Sequence, residues 1–562
     1  MDDKIIIYQV FTRLFGNHGR DRAHRDTPNV RGGTVAENGV GKFADFTPEA
    51  LRYIRDLGAT HVWYTGVIEH STCTPYPGIG CAASPEGVVK GRAGSPYAIR
   101  DYYNVDPDLA LDPVERMAEF EALVARTHRA GLKVLMDFVP NHVARDYRGT
   151  SRPPGVRNLG EDDWRDWHFR RDNNFYYCVG EPFRPQLDAK GYEEFPARAT
   201  GNDCFSPSPG VNDWYETVKL NYGVDYCGGR VKHFSPVPDT WLKMKDILLF
   251  WASKGVDGFR CDMAEMVPVE FWHWAIAEVK GLYPQMLFIA EVYNPALYRS
   301  YLYNGGFDFL YDKVGMYDTL RSVMCGGAAR EITRAWQATD DIRMHMLRFL
   351  ENHDEQRIAS RQFADDARAG RAAMAVAAHL NAAPVMIYFA QELGERAAFA
   401  EGFSGDDGRT SIFDYWRMDN IARLIKGSFT DKCLDTDESA LLDCYRRLLG
   451  LGRECDALRR GEMYDLTWLN EGCGTYDTAR QFAWLRHTAA EVVLCVANFS
   501  PDGVNIKVNI GQHAFDAVGL VPRSAVEAAD LMTGAKRIVT LSPDKPLEVY
   551  VGGQDVMFLK LR

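Results

Sequence analysis

No glycine-rich phosphate loop, dinucleotide fingerprint, Cys-x-x-Cys pair or His-x-x-x-His pair stands out in this 562-residue chain. That removes the usual grounds for a nucleotide-binding or zinc-dependent reading. Positive charge is also short: 65 Lys and Arg against 77 Asp and Glu leave a net charge of -12. Phosphate backbones and anionic membranes demand clustered cations, so nucleic-acid and membrane partners are not expected. The amino-terminal apolar run, Ile5 to Phe11, is too short and too soon interrupted for a secretory signal or a membrane span. No internal repeat or low-complexity tract is present. Twelve cysteines are a modest fraction, and Cys261 and Cys495 fall inside presumptive strands. Reduced thiols and a cytoplasmic protein are the expectation, with Cys73–Cys81, or Cys178 with Cys204 or Cys227, as alternative loop bridges.

What is present is enough for roughly two to four domains. The chain is organised around Gly255-Val256-Asp257-Gly258-Phe259-Arg260-Cys261-Asp262. An amphipathic helix is expected over 240–254 before it, and a helix opened by Pro268 after it, which makes the stretch a short strand between helices. Residues two apart on a strand share a face, so Arg260 and Asp262 project together. Alone, such a pair reads as a structural ion pair. Three further acidic segments end short apolar runs in the same manner: Asp137 to His142, Glu291-Val292, and Glu351-Asn352-His353-Asp354. In a parallel β/α barrel such residues, distant in sequence, converge at the carboxyl ends of the strands.

That order of segments resembles the α-amylase superfamily of glycoside hydrolases and transglycosidases, and the likeness runs over nearly the whole chain. The resemblance implies a (β/α)8 TIM barrel from residues 1–142 and 239–459, an irregular domain inserted after strand three at 143–238, and a C-terminal antiparallel β-sandwich at 460–562. The insertion is rich in Arg, Asp, Gly, Pro and aromatics, with Trp164, Trp167, Tyr176, Tyr177, Trp214 and Tyr222 as candidate sugar platforms or packing groups. From about Arg460 short β-type runs follow one another between turn residues.

By the same resemblance Asp262 is the nucleophile, Glu291 the general acid and base, and Asp354 the stabiliser of the oxocarbenium-like state. Arg260 would hold Asp262 charged, and partial desolvation would disfavour ionisation of Glu291. Tyr97, His142 and His353 are the expected substrate contacts together with Arg260. Where many relatives carry a His, this chain has Ser95. Where many carry Lys-His after the nucleophile it has Glu265-Met266, and Lys219 stands where an aspartate ligates calcium. No cofactor, no metal ligand set and no structural calcium are therefore expected, nor chloride dependence. The implied substrate is an α-glucan oligosaccharide or polysaccharide. Hydrolysis of α-1,4 bonds, transfer as in a 4-α-glucanotransferase, and a catalytically inactive glycan-binding relative all remain open at this point.

Overall fold

The computed structural model describes residues 4–20, 28–399 and 401–562, so residues 21–27 of the long loop after the first strand, and Met1 to Asp3, lie outside the described residues. Eight parallel strands form one sheet: β1 (Ile6–Phe11), β2 (His61–Thr65), β3 (Lys133–Phe138), β4 (Gly258–Cys261), β5 (Leu287–Ala290), β6 (Phe309–Tyr311), β7 (Met346–Leu347) and β8 (Val385–Tyr388). Spatial order follows chain order from β1 to β7, and β8 lies beside β1. A parallel bridge from Arg348 to Val385 closes the ring, with Arg348 N–H donating to Pro384 O at 3.1 Å and Met386 N–H to Arg348 O at 2.8 Å. Strand β7 is only two residues long, because residues 340–345 before it form a 3-10 turn. Among the described residues no helix is long and apolar enough to cross a membrane.

Strand alternation fills the barrel and places the site. Ile7, Trp63, Leu135, Ile289, Phe309, Tyr311, Leu347 and Met386 form one buried cluster inside the ring. Tyr8, Val62, Val134, Phe288, Leu310, Met346 and Val385 belong to the larger core beneath the helices. Two residues beyond Leu135 and Ile289, on the same faces, stand Asp137 and Glu291. Gly258 is required at this density: a Cβ there would lie 2.7 Å from Leu287 O and 2.8 Å from Leu135 Cδ2.

The outer helices begin as the sequence suggests. In α1 (Pro48–Asp56) the Thr47 side chain accepts from Ala50 N–H, and Pro48 takes the first turn, where its missing donor costs nothing. Helices α2 (Arg116–Arg129), α3 (Asp239–Ser253) and α4 (Val269–Leu282) cover β3 to β5, with Pro268 as the residue that caps α4.

Residues 143–238 hold only short antiparallel pairings, among them His142–Ala144 with Thr217–Lys219 and Tyr177–Cys178 with Ala197–Arg198. Buried charge helps replace regular structure there: Glu194 meets Arg145 at 2.7 Å and Arg198 at 2.6 Å. Burial works to raise the Glu194 carboxyl, but the two guanidiniums pull it down to about 2.

The C-terminal part is a six-stranded antiparallel sheet in the order Glu462–Asp465, Gln481–His487, Val492–Asn498, Asp555–Lys560, Arg523–Asp530, Lys536–Leu541. A two-stranded sheet, Val504–Val508 with Leu547–Val551, faces it, so the sandwich has unequal layers. Ala483, Leu485, Leu494 and Val496 pack between the layers, whereas Phe482, Trp484, Val493 and Cys495 join the barrel's core. Both faces of the central strands are buried, which is why they read as nearly continuous apolar runs. None of the twelve cysteines is in a disulfide.

Candidate active site

Strand β4 delivers the central pair as its alternation requires. Arg260 Nη1 donates to Asp262 Oδ1 at 2.8 Å, and Arg260 Nη2 lies 2.8 Å from Glu291 Oε1. A single guanidinium therefore spans the two carboxyl groups. It is 1% exposed, with Trp63, Tyr97 and Tyr311 rings 5.3–5.5 Å from its carbon, and its Nε donates to Tyr311 Oη at 3.2 Å. Asp262 Oδ2 is buried and has no hydrogen-bond partner. An ionised carboxylate with one oxygen tethered and the other untied is oriented for attack.

The electrostatics add competing influences to the one expected at Asp262. Arg260 does pull Asp262 toward its charged form, but burial first, and the neighbouring charge of Glu291 second, push the Asp262 carboxyl well above the usual range. The sequence also pointed to burial as the main influence on Glu291. The structure adds one cation and two donors: Arg260 Nη2 forms the ion pair to Oε1, Tyr293 Oη donates to Oε1 at 2.7 Å, and Met263 N–H donates to Oε2 at 2.7 Å. Met263 holds a left-handed conformation (φ 43°), which turns its N–H toward Glu291 directly after Asp262. Of the two donors, only the Tyr293 hydroxyl can also accept, so it can stay bonded to Oε1 whether or not that oxygen carries the proton. Glu265, three residues after Asp262, accepts from Tyr293 N–H at 3.2 Å and Asn294 N–H at 3.0 Å, fixing that strand end.

Asp354 and His353 extend from β7 to the opposite side of the mouth. His353 Nε2 lies 3.0 Å from Asp354 Oδ2 and 2.6 Å from Tyr97 Oη, while Gln9 Nε2 is 2.8 Å from His353 Nδ1. The Gln9 amide also donates to Thr65 Oγ1 at 3.0 Å, so the His353 ring is held at both nitrogens. Burial raises the Asp354 carboxyl, but His353, Arg260 and Arg409 together bring it below the usual range. Its side chain, 32% exposed, is the accessible carboxylate of the set; the side chains of Asp137, Asp262 and Glu291 are 8%, 8% and 4% exposed. Asp137 accepts from Trp63 Nε1 at 3.0 Å and lies 3.5 Å from Arg260 Nη1.

The remaining predicted contacts fall around this cluster. The Tyr97 ring is stacked on His353 (5.2 Å, 25°), and its N–H donates to Ser95 Oγ at 3.3 Å. One face of the ring is thus occupied by protein. His142, buried next to Asn141, is lowered to about 3 by burial and then by Lys219, so it is a neutral partner for hydroxyls. Trp214 lies 5.3 Å from it, the one candidate platform of the inserted segment found against a predicted site residue. Tyr176, Tyr177 and Tyr222 are buried at 1–3%, and exposed Trp164 and Trp167 pack instead on Arg170. Gln9, Trp63, Tyr293 and Tyr311 are neighbours of the predicted site residues that sequence reasoning missed. Tyr293 alone carried a signal, standing two residues beyond Glu291 on the same face.

Replacing Tyr293 by Phe keeps the ring and removes the hydroxyl. One hydrogen bond of about 1.4 kcal/mol at a charged group corresponds to roughly a tenfold effect. We expect kcat to fall by about that factor on an unactivated glycoside, with less loss on a substrate whose leaving group needs no proton. Steady-state kinetics on the two substrate types checks this, and equal losses would contradict it.

The model for the α-amylase catalytic domain matches residues 9–425. An α-1,4-glucan:maltose-1-phosphate maltosyltransferase of Cereibacter sphaeroides is 26% identical over 254 residues, 43% of this chain and 32% of that protein. An α-amylase of Streptomyces lividans is 25% identical over 388 residues, covering 63% of this chain and 40% of that protein. The chain thus spans about a third to two fifths of the length of these curated relatives. The crystal structure of an α-amylase from Geobacillus thermoleovorans complexed with acarbose superposes with a TM-score of 0.63 at 17% identity, over 100% of this chain and 98% of that one. The eightfold parallel barrel, its carboxylates gathered at the strand ends, and a family match over most of its length together establish that this chain belongs to the α-amylase family of glycosidase-type enzymes.

Proposed function

We propose that this enzyme is a retaining glycoside hydrolase that cleaves α-1,4-glucosidic bonds in maltooligosaccharides or starch-like α-glucans through a covalent glycosyl-Asp262 intermediate. The observation that carries the reading is the shared guanidinium: Arg260 holds Asp262 and Glu291 on its two Nη atoms, and Asp262 Oδ2 is left untied. Two carboxyl groups in opposite protonation states are what glycoside cleavage needs. Asp262 Oδ2 attacks the anomeric carbon as Glu291 gives its proton to the departing oxygen. Glu291, then ionised, takes a proton from water, whose oxygen attacks the anomeric carbon and releases Asp262. A protonated Glu291 also no longer opposes the charge on Asp262, so the proton's location couples the two groups. Asp354, with His353 and neutral His142, supplies hydroxyl contacts, and Tyr97 lines the same wall. The unpaired thiols fit a reducing, cytoplasmic setting.

The first test is a time course of purified protein with maltoheptaose, products separated by chromatography. Shorter sugars alone are the expected result, and their sizes give the cleavage pattern. A ladder extending above seven glucoses would assign the transferase reaction, which shares the intermediate but passes it to a sugar. No change would contradict both.

A further inference from the structure

Lys219 lies directly opposite His142 in the short antiparallel pair formed by His142–Ala144 and Thr217–Lys219. Its ammonium is 2% exposed at the side chain and meets oxygens from three separate segments. It donates to Asn141 Oδ1 at the end of β3, pairs with Asp203 Oδ1 at 2.8 Å in the inserted segment, and donates to Met266 O at 3.2 Å in the turn after β4. Asn141 is fully buried, and its Nδ2 is already given to Gly201 O at 2.8 Å, so its Oδ1 needs a donor.

Such a convergence of an amide oxygen, a carboxylate and a main-chain carbonyl is oxygen chemistry suited to a hard cation. The centre of it is filled by a covalently tethered one. A calcium ion does not fit these residues, since the ammonium adds repulsion and takes up the same oxygens. We infer that Lys219 is a built-in cation: it does for this chain what a bound divalent ion could do at the same oxygens, bracing the inserted segment against the ends of β3 and β4.

The brace bears on the site itself. Asn141 is adjacent to His142. Met266 closes the turn that begins at Met263, and Met266 N–H donates to Met263 O at 2.9 Å, tying the braced carbonyl's residue to the one whose N–H holds Glu291. Lys219 is therefore a positioning residue, acting on His142 and Glu291 through the backbone of two loops. Its consequence is that neither stability nor activity calls on a divalent cation.

The test uses calcium itself as the probe, on the full chain and on two variants. Wild-type protein is expected to show the same melting temperature and the same kcat in excess EDTA and in millimolar calcium. Lys219→Asp exchanges the ammonium for a carboxylate and converts the oxygens into a ligand set. It is expected to melt lower than wild type in EDTA, to regain a few degrees on saturable calcium addition, as mass action requires, and to bind one calcium by calorimetry. Lys219→Met keeps the stem without the charge; its melting temperature is expected to fall and not to respond to calcium. A merely space-filling lysine would leave Lys219→Met stable and Lys219→Asp indifferent to calcium, and either result overturns the inference. So does wild-type protein that loses melting temperature in EDTA or retains one tightly held calcium after dialysis. If Lys219→Asp does not fold, the wild-type titration and Lys219→Met decide the matter alone.

Discussion

Glu291→Gln is expected to lower kcat on a maltooligosaccharide by about a thousandfold, the middle of the range for loss of a general acid. On an aryl glycoside with an activated leaving group, the loss should be less than about tenfold, because that leaving group departs without a proton. A second readout separates this from general damage. Attack requires ionised Asp262, whose carboxyl burial before all else holds above the usual range, so activity falls as pH drops through that raised titration. The reactive form carries a protonated, uncharged Glu291, and Gln is uncharged too, so the acid limb of kcat/KM in Glu291→Gln, measured on the activated substrate, should stay where it is in wild type. A limb that moves would mean that the substitution disturbs the surroundings of Asp262 and not only the proton donor.

The second large effect is Asp262→Asn, expected to cost about four orders of magnitude or more in kcat on any glycoside, as removal of a nucleophile does. The same substitution should stabilise the fold near neutral pH. Three carboxyl groups, Asp137, Asp262 and Glu291, face the one guanidinium of Arg260, at 3.5, 2.8 and 2.8 Å. The Asp262 carboxyl is raised in the folded protein by burial and by Glu291. Folding then favours its protonated form, so its contribution is present below the ordinary aspartate range and is lost as pH rises through the folded value. At neutral pH it is a liability that an amide lacks. The expected gain is about 1 kcal/mol or more, typical of relieving a conflict between stability and activity. It should shrink as pH falls below the ordinary aspartate range. Thermal or denaturant unfolding of both proteins as a function of pH measures it, and an equal loss of stability at every pH would contradict the electrostatic account.

The parts of this molecule that could be read in the sequence are those whose signal is local. Asp137, Asp262, Glu291 and Asp354 each follow a short apolar run, and strand periodicity carries Arg260 and Asp262 to one face. Thr47-Pro48 announces a helix start because cap and first turn are chemically adjacent. Other features depend on partners far away in the chain. Gln9 sits in a buried strand like any other residue there, and only the fold brings it to His353, 344 positions later. Trp63 and Tyr311 look like core aromatics, and they are core aromatics over whose rings Arg260 also lies. Strand β7 is preceded by a 3-10 turn, Asp340–His345, whose Met344 lengthens the apolar run in the sequence without belonging to the strand. Arg260 does favour the charged form of Asp262, but the competing charge has no local signal: Glu291 is 29 residues on and reaches the same guanidinium only through the pairing of β4 with β5. The domain boundaries near 142, 238 and 460 rest on changes in composition and pattern. The segment 143–238 holds short paired strands, and antiparallel strands begin at Glu462.

The central claim is that Asp262 becomes covalently glycosylated. Incubating the enzyme with a slow fluorinated glycoside, digesting it and sequencing the labelled peptide by mass spectrometry tests this directly. The account predicts one sugar per chain, attached to Asp262 and released on addition of a good acceptor. A label on Glu291 or Asp354, or steady turnover of the same reagent with no labelled peptide at any time, would contradict it.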